Sequence, residues 1–151
     1  MIEEFSFGNF WSFKDIQTLN MTAASIKSAN PDLDTNNIIP VNDHVAVLKS
    51  KAIYGANASG KSNIVKALVT FIRIISDSVK DDTILSLIDP FALSTESVKQ
   101  PSFFQLVFRM DGTRYRYGFE ANDNSCLTPL IIGQLRKISL EDFAYYLPAQ
   151  R

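Results

Sequence analysis

The chain has almost none of the residues that staple small domains or bind metals in them. In 151 residues there is one cysteine, Cys126, and one histidine, His44. No internal disulfide can form, and one Cys with one His cannot complete a zinc site. A lone cysteine is compatible with a reducing compartment. A Ser-His-Asp relay would have to recruit His44, and nothing else in the sequence supports one. An excess of one charge is lacking as well: 15 Lys and Arg against 16 Asp and Glu leave a formal net charge of −1. That balance gives no general pull toward nucleic acid or anionic membrane, so any such contact must come from a local patch. No apolar run approaches the roughly 18 residues needed to span a bilayer. The opening Met1-Ile2-Glu3-Glu4 lacks the basic start of a signal peptide. Repeats and low-complexity tracts are missing too. The expectation is a soluble, cytoplasmic protein with no membrane partner. Hydrophobic residues at 46% and charged residues at 21% suit one globular domain of ordinary core size.

Against this plain background one stretch stands out, Gly55-Ala56-Asn57-Ala58-Ser59-Gly60-Lys61-Ser62. It fits G-x-x-x-x-G-K-[ST], the phosphate-binding loop pattern. Glycines let the backbone curl so that successive N–H groups face phosphate oxygens. A helix opening near Gly60 adds the positive end of its dipole. Lys61 can reach the β- and γ-phosphates, and the Ser62 hydroxyl can sit on a Mg²⁺ ion that bridges them. Ala52-Ile53-Tyr54 reads as a short apolar strand end before the loop. The competing reading is a chance Gly-rich turn. Strand, loop and helix in sequence favour nucleotide binding.

Elsewhere the pattern predicts elements in order. Residues 2–7 alternate as a strand, with Glu3, Phe5 and Phe7 on one side. Gly8-Asn9 marks a turn, and 17–21 is a second strand, with Phe10, Trp11 and Phe13 between them as core or edge packing. Residues 22–43 are turn-rich and read as a loop excursion. Val45 to Leu48 resumes the apolar pattern. From Lys61 to Val79 the period is helical: Asn63, Lys66, Thr70, Arg73 and Asp77 form a polar stripe, opposite Ile64, Leu68, Phe71, Ile72 and Ile75, with Val65 and Val69 widening the apolar face. Thr83 to Ile88 is a short helix or strand. Phe103 to Met110 and Thr113 to Glu120 flank Asp111-Gly112, a favoured hairpin turn. Counting back from it sets Phe108 opposite Tyr115, Leu106 opposite Tyr117 and Phe104 opposite Phe119 on one apolar face. Arg109, Arg114 and Arg116 fall on the other face. They suit either the phosphates of a nucleic acid or, more simply, local ion pairs, with Asp111 as a neighbour. Ser139 with Asp142 resembles a capping box before a last helix over 140–147, stopped by Pro148.

Binding a nucleotide is not hydrolysing it. Hydrolysis calls for a Mg²⁺-holding carboxylate at a strand end and a group that orients water. The nearest match is Ile84 to Asp89, but Pro90 follows Asp89. The simpler role for Asp89 is a turn residue before proline. No catalytic residue is assigned.

Three stretches together resemble a family: Ile2 to Phe5 through Asn9-Phe10-Trp11-Ser12-Phe13-Lys14, Tyr54 through Asn63, and Pro101 through Glu120. They look like the N-terminal part of an ABC-type ATPase of the SMC/RecF-like branch, in particular the AAA-labelled, OLD-like and abortive-infection-like ATPases of bacterial defence. The resemblance implies that Gly55, Asn57, Gly60, Lys61 and Ser62 bind ATP and Mg²⁺, with Ala56, Ala58, Ser59 and Asn63 completing the nucleotide site. Trp11 stands where relatives are often basic, so no role is carried over to it. The family's signature loop, Walker B Asp-Glu and switch histidine do not occur by residue 151. Its Q-loop glutamine could be Gln105 or Gln134. In such ATPases two heads sandwich ATP, and this chain could supply only the P-loop side.

The expectation is therefore an α/β P-loop NTPase fold. It comprises the N-terminal half of an ABC-type head, with a mixed sheet, an antiparallel β part and one long P-loop helix. Residues 1–151 would form a single, incomplete nucleotide-binding domain. Its partners would be nucleotide, a second ATPase head or a homo-oligomer, and a nuclease or DNA. A non-catalytic, ATP-dependent interaction module and a small-molecule P-loop kinase are the alternatives. No guanine-reading N-K-x-D motif is present, so ATP is the expected nucleotide.

Overall fold

The computed structural model of the chain describes residues 1–26, 28–77, 83–122 and 126–131. Five strands form one sheet: β1 (Ile2–Gly8), β2 (Gln17–Asn20), β5 (Ser102–Met110), β6 (Thr113–Ala121) and β7 (Cys126–Ile131), in the order β2-β1-β5-β6-β7. Every pairing in it is antiparallel. The parallel strands that a mixed sheet would contain are not found among the described residues. The β5–β6 hairpin has the register expected from the sequence, with Phe104↔Phe119, Leu106↔Tyr117, Phe108↔Tyr115 and Arg109↔Arg114. Its turn works because Asp111 (φ 50°) and Gly112 (φ 77°) both adopt the left-handed conformation, which matches the twist of the flanking strands.

One face of the sheet is aromatic and covered by α2 (Lys61–Asp77). Phe71 lies fully buried at the centre. Its ring stacks on Phe119 at 5.5 Å and meets Phe5 edge-on at 5.6 Å. Phe7, Phe10, Phe104, Ala67, Ile74 and Ile75 belong to the same core. The helix is rotated from the face its sequence suggests. Thr70, read as part of the polar stripe, is buried, whereas Val65 and Val69, read as part of the apolar face, are 60% and 42% exposed. The cause is that the sheet covers α2 from one side only, so a helix apolar over more than half its girth leaves a second apolar strip open.

On the opposite face of the sheet, Glu3 departs from simple alternation. The β1–β5 register shifts between Ile2 and Glu4, and a bulge of this kind re-aims one side chain. Glu3 leaves the Phe5–Phe7 side and bonds Arg109 Nε (2.5 Å) and Arg114 Nε (2.7 Å). Burial alone would raise its carboxyl pKa, but the hydrogen bonds and charges of Arg114 and Arg109 outweigh that and hold it below the ordinary value. The acid that pairs with the hairpin arginines is therefore Glu3 rather than Asp111.

The 22–43 stretch, read as a loop excursion, contains a two-turn helix, α1 (Pro31–Asn37), and β3 (Ile38–Pro40). Asn30 caps α1 through the Asp32 N–H, and a proline opens the helix, a capped start that composition alone understates. β3 pairs antiparallel with β4 (Ala46–Leu48). This small hairpin is tied to the end of β2 by Leu48 N–H to Met21 O and Ala23 N–H to Ala46 O. The strand expected at Ala52-Ile53-Tyr54 does not form. These residues are exposed coil with no strand partner among the described residues; a strand exists only where a neighbour takes its hydrogen bonds. The helix expected over 140–147 lies outside the described residues. Among the described residues no helix is long and apolar enough to cross a membrane.

Candidate functional site

The Gly55–Ser62 loop runs directly into α2. Two of its residues are left-handed, Ala58 (φ 61°) and Gly60 (φ 86°), a geometry that turns successive N–H groups to one side and makes an anion-binding concavity. The N–H groups of Asn57, Ala58, Gly60, Lys61 and Ser62 take part in no backbone hydrogen bond of the loop. Among the described residues they have no acceptor, and they lie at the positive end of a 17-residue helix. No acidic residue lies in the first turn of α2, whereas α1 has Asp32 and Asp34 there. The longer helix thus leaves its N-terminal charge available to an external anion.

Lys61 folds back over the loop. Its ammonium donates to Gly55 O at 2.8 Å and to Ala56 O, with Ser59 Oγ at 3.4 Å. A Cβ on Gly55 would lie 2.9 Å from Ser59 Oγ, so a larger residue there would make the Ser59 hydroxyl turn away. Ser62 is exposed, and its hydroxyl makes no hydrogen bond among the described residues, so it is open to a hard cation. The residue types and the unspent donors fit a polyphosphate with its Mg²⁺. The Ser62 hydroxyl, at the start of α2, is an oxygen donor suited to ligate the ion.

The sequence did not reveal what braces this loop. Phe10 and Phe13 exchange backbone hydrogen bonds at 2.9 and 3.0 Å, closing a two-residue turn over Trp11-Ser12. That turn lies against the start of α2: Asn63 Nδ2 donates to Ser12 Oγ at 2.9 Å, and a Cβ on Gly60 would come within 2.9 Å of both Phe13 Cζ and Ser12 Oγ. Trp11 reaches one turn further along the helix, where the Lys66 ammonium sits 3.8 Å from its ring centroid. Beneath the turn, Asn9 is a buried hub. Its Nδ2 donates to Ser97 O at 2.8 Å and Gln100 O at 2.9 Å, and its Oδ1 accepts from Phe91 N–H at 3.1 Å. The only signal in the sequence was a Gly-Asn turn followed by three aromatics in four residues, which reads equally well as core packing.

The remaining candidates do not join the site. Asp89 follows a 3-10 turn (Ile84–Leu87) rather than a strand; its carboxylate is exposed and its carbonyl accepts the Trp11 N–H at 2.8 Å. Gln105 pairs with Gly118 and Ser6 on the sheet face away from α2, so it does not face the loop. Gln134 lies outside the described residues. His44 is exposed in the turn before β4. Arg109 and Arg114 are engaged by Glu3. Among the described residues no cluster of His, Cys, Asp and Glu could hold a metal ion.

A protein-family model described as "AAA domain, putative AbiEii toxin, Type IV TA system" matches residues 52–142. The match covers more than half of the chain, including the loop, α2 and the β5–β6 hairpin. No curated protein matches the chain.

Proposed function

The chain belongs to the AAA-domain family whose model spans residues 52–142, and from that membership we propose that it is the ATP-binding half of an ABC-type ATPase head. The family brings a P-loop NTPase fold and an ATPase-like, nucleotide-binding function. The finer reading rests on one observation: a loop with five unspent N–H donors, a lysine poised over it and an open serine hydroxyl at a helix start that carries no acid. The β- and γ-phosphates of ATP would take the N–H groups, and the Lys61 ammonium would leave Gly55 O and Ala56 O for phosphate oxygens. When bound, Mg²⁺ supplies charge neutralisation across those phosphates, with Ser62 Oγ as its protein ligand.

Hydrolysis is assigned to a further segment or partner. The described residues offer no metal-binding carboxylate cluster and no strand-end acid beside the loop. Ile53 and Tyr54, just before the loop, and Val65 and Val69, on the helix after it, are exposed, and residues 52–54 make no backbone hydrogen bond among the described residues. Both features support a second body at this face, such as another ATPase head or a copy of this chain. A role in phage defence, with a nuclease or DNA downstream of the ATPase, agrees with the toxin–antitoxin wording of the family description. The exposed strip also favours a second reading, a non-catalytic module whose assembly depends on ATP.

The test is MgATP binding by calorimetry with wild type and Lys61→Ala. The expected result is at least a tenfold loss of affinity in the variant, about 1.4 kcal/mol, with little turnover by either protein alone. Equal affinity of the two proteins would refute the site. Nucleotide-dependent dimerisation without turnover, even with the partner segment added, would favour the module.

A further inference from the structure

The β3–β4 hairpin does not close down on the sheet. Between it, the β1–β2 edge of the sheet and α2 lies a cavity of about 620 Å³, within the range of small-molecule sites. Backbone bonds from Leu48 N–H to Met21 O and from Ala23 N–H to Ala46 O pin the hairpin to the end of β2. They fix the wall that Ile39 and Leu48 present to the cavity. The floor is the margin of the aromatic core: buried Phe5, Leu19 opposite it across the β1–β2 pair, and Leu68 of α2. Ile2 and Ile53 line the mouth, 40% and 39% exposed. An open hollow so lined costs free energy that an apolar occupant would recover. The charged side chains around it have one sign. Among the described residues these are Lys49 and Lys51, and no acid lines the cavity. Both lysines are exposed, and neither forms a salt bridge among the described residues. The Lys51 ammonium donates to Asn20 O at 2.8 Å, which leaves it N–H donors to spare. Ser50 Oγ is spent on Asn37 Oδ1. The fitting occupant is apolar along its length and anionic at one end.

We infer that this cavity is a binding site for a free amphipathic carboxylate: a straight acyl tail lies on Phe5, Leu19, Ile39 and Leu68, and its carboxylate meets the ammonium groups of Lys49 and Lys51. Lysine suits the mouth of such a site, since its stem covers apolar surface while its charge stays in water. The site is separate from the phosphate loop, because no residue from Gly55 to Ser62 lines it.

The probes are octanoate and decanoate, titrated into the full chain by calorimetry below the concentrations at which they aggregate. One carboxylate should bind per chain. Decanoate should bind about tenfold more tightly than octanoate, since two more methylenes leave water. The double variant Lys49→Gln, Lys51→Gln exchanges two exposed residues and should weaken decanoate binding about fivefold. Ile53→Asp, also at an exposed position, sets an acid at the mouth and should weaken it about tenfold or more. Equal affinity of the two probes would overturn the inference. Unchanged decanoate affinity in either variant would overturn it too, since the acyl chain would then be adsorbed elsewhere on the surface. So would failure of decanoate to bind wild type, which leaves the cavity to a segment of protein.

Discussion

Replacing Asn9 by alanine should weaken the fold more than any change to the phosphate loop, although Asn9 touches no ligand. The residue is 8% exposed and joins three segments. Its Nδ2 holds Ser97 O and Gln100 O, with Pro101 O a longer third acceptor at 3.3 Å, and its Oδ1 holds the Phe91 N–H. Alanine would leave Gln100 O and the Phe91 N–H without their partner and Ser97 O with the Gln100 N–H alone, at about 1–3 kcal/mol for each group left unpaired. It would also have to occupy φ 49°, where asparagine is at ease and alanine is strained by about 1–2 kcal/mol. Carbonyls retain a second lone pair and water can enter, so the lower end of each range applies. The total is about 3–5 kcal/mol, a large part of a typical domain's 5–15 kcal/mol. Asn9→Asp separates the terms. It keeps the backbone preference and the Phe91 bond but turns a donor into a carboxylate facing carbonyls, and it should cost as much as alanine or more. Asn9→Gly removes the backbone strain and should recover about 1 kcal/mol relative to alanine. Urea unfolding followed by far-UV circular dichroism measures all three. An alanine variant within 1 kcal/mol of wild type would refute the argument, as would an aspartate variant more stable than alanine.

Two further outcomes follow from the same geometry. Gly60→Ala places a Cβ 2.9 Å from Phe13 Cζ and Ser12 Oγ at φ 86°; it should lower stability by about 1–2 kcal/mol and reduce MgATP affinity, which calorimetry would show, because Ser12 must shift away from Asn63. Glu3→Gln removes the carboxylate between Arg109 and Arg114 and should lower stability near neutral pH by about 1–3 kcal/mol. Because the folded-state pKa of Glu3 lies below its ordinary 4.5, the advantage of wild type is fully present above pH 4.5 and fades as pH falls through the lowered value. Parallel urea curves across that range should converge at acid pH; a constant gap would sink the assignment.

What the sequence made legible was local. The β5–β6 register could be counted from Asp111-Gly112 because a two-residue turn fixes the pairing and the aromatic alternation agrees with it. The Gly55–Ser62 pattern could be singled out because a phosphate-binding loop admits few residue types. Longer-range features were not legible. The Glu3 bulge depends on how β1 meets a strand about a hundred residues away, and the rotation of α2 depends on which side the sheet covers. Periodicity reports an apolar face but not which part of a wide face is buried, so Thr70 and Val65 were exchanged between inside and outside. Ala52-Ile53-Tyr54 has strand-like composition yet lacks a strand partner, which composition cannot supply.

The same distinction bears on the site. On the proposed reading Lys61 and Ser62 are set in identity by phosphate and Mg²⁺ chemistry, but their placement comes from elsewhere. The loop meets Ser12 and Phe13, which sit on the turn closed by Phe10 and Phe13, which is anchored by Asn9 to the segment entering β5. β5 is the strand that joins β1 to β6 in the sheet. Loosening Asn9 should therefore weaken phosphate binding through the position of the turn, although Asn9 lies outside the loop. Asn9→Gly, the mildest of the three variants, should lower the affinity for both MgATP and magnesium tripolyphosphate, since on the proposed reading both are held by the loop. Calorimetry with both ligands decides it. Unchanged affinity for both would mean that the loop keeps its shape without the turn, and that Ser12 and Phe13 only lie against it.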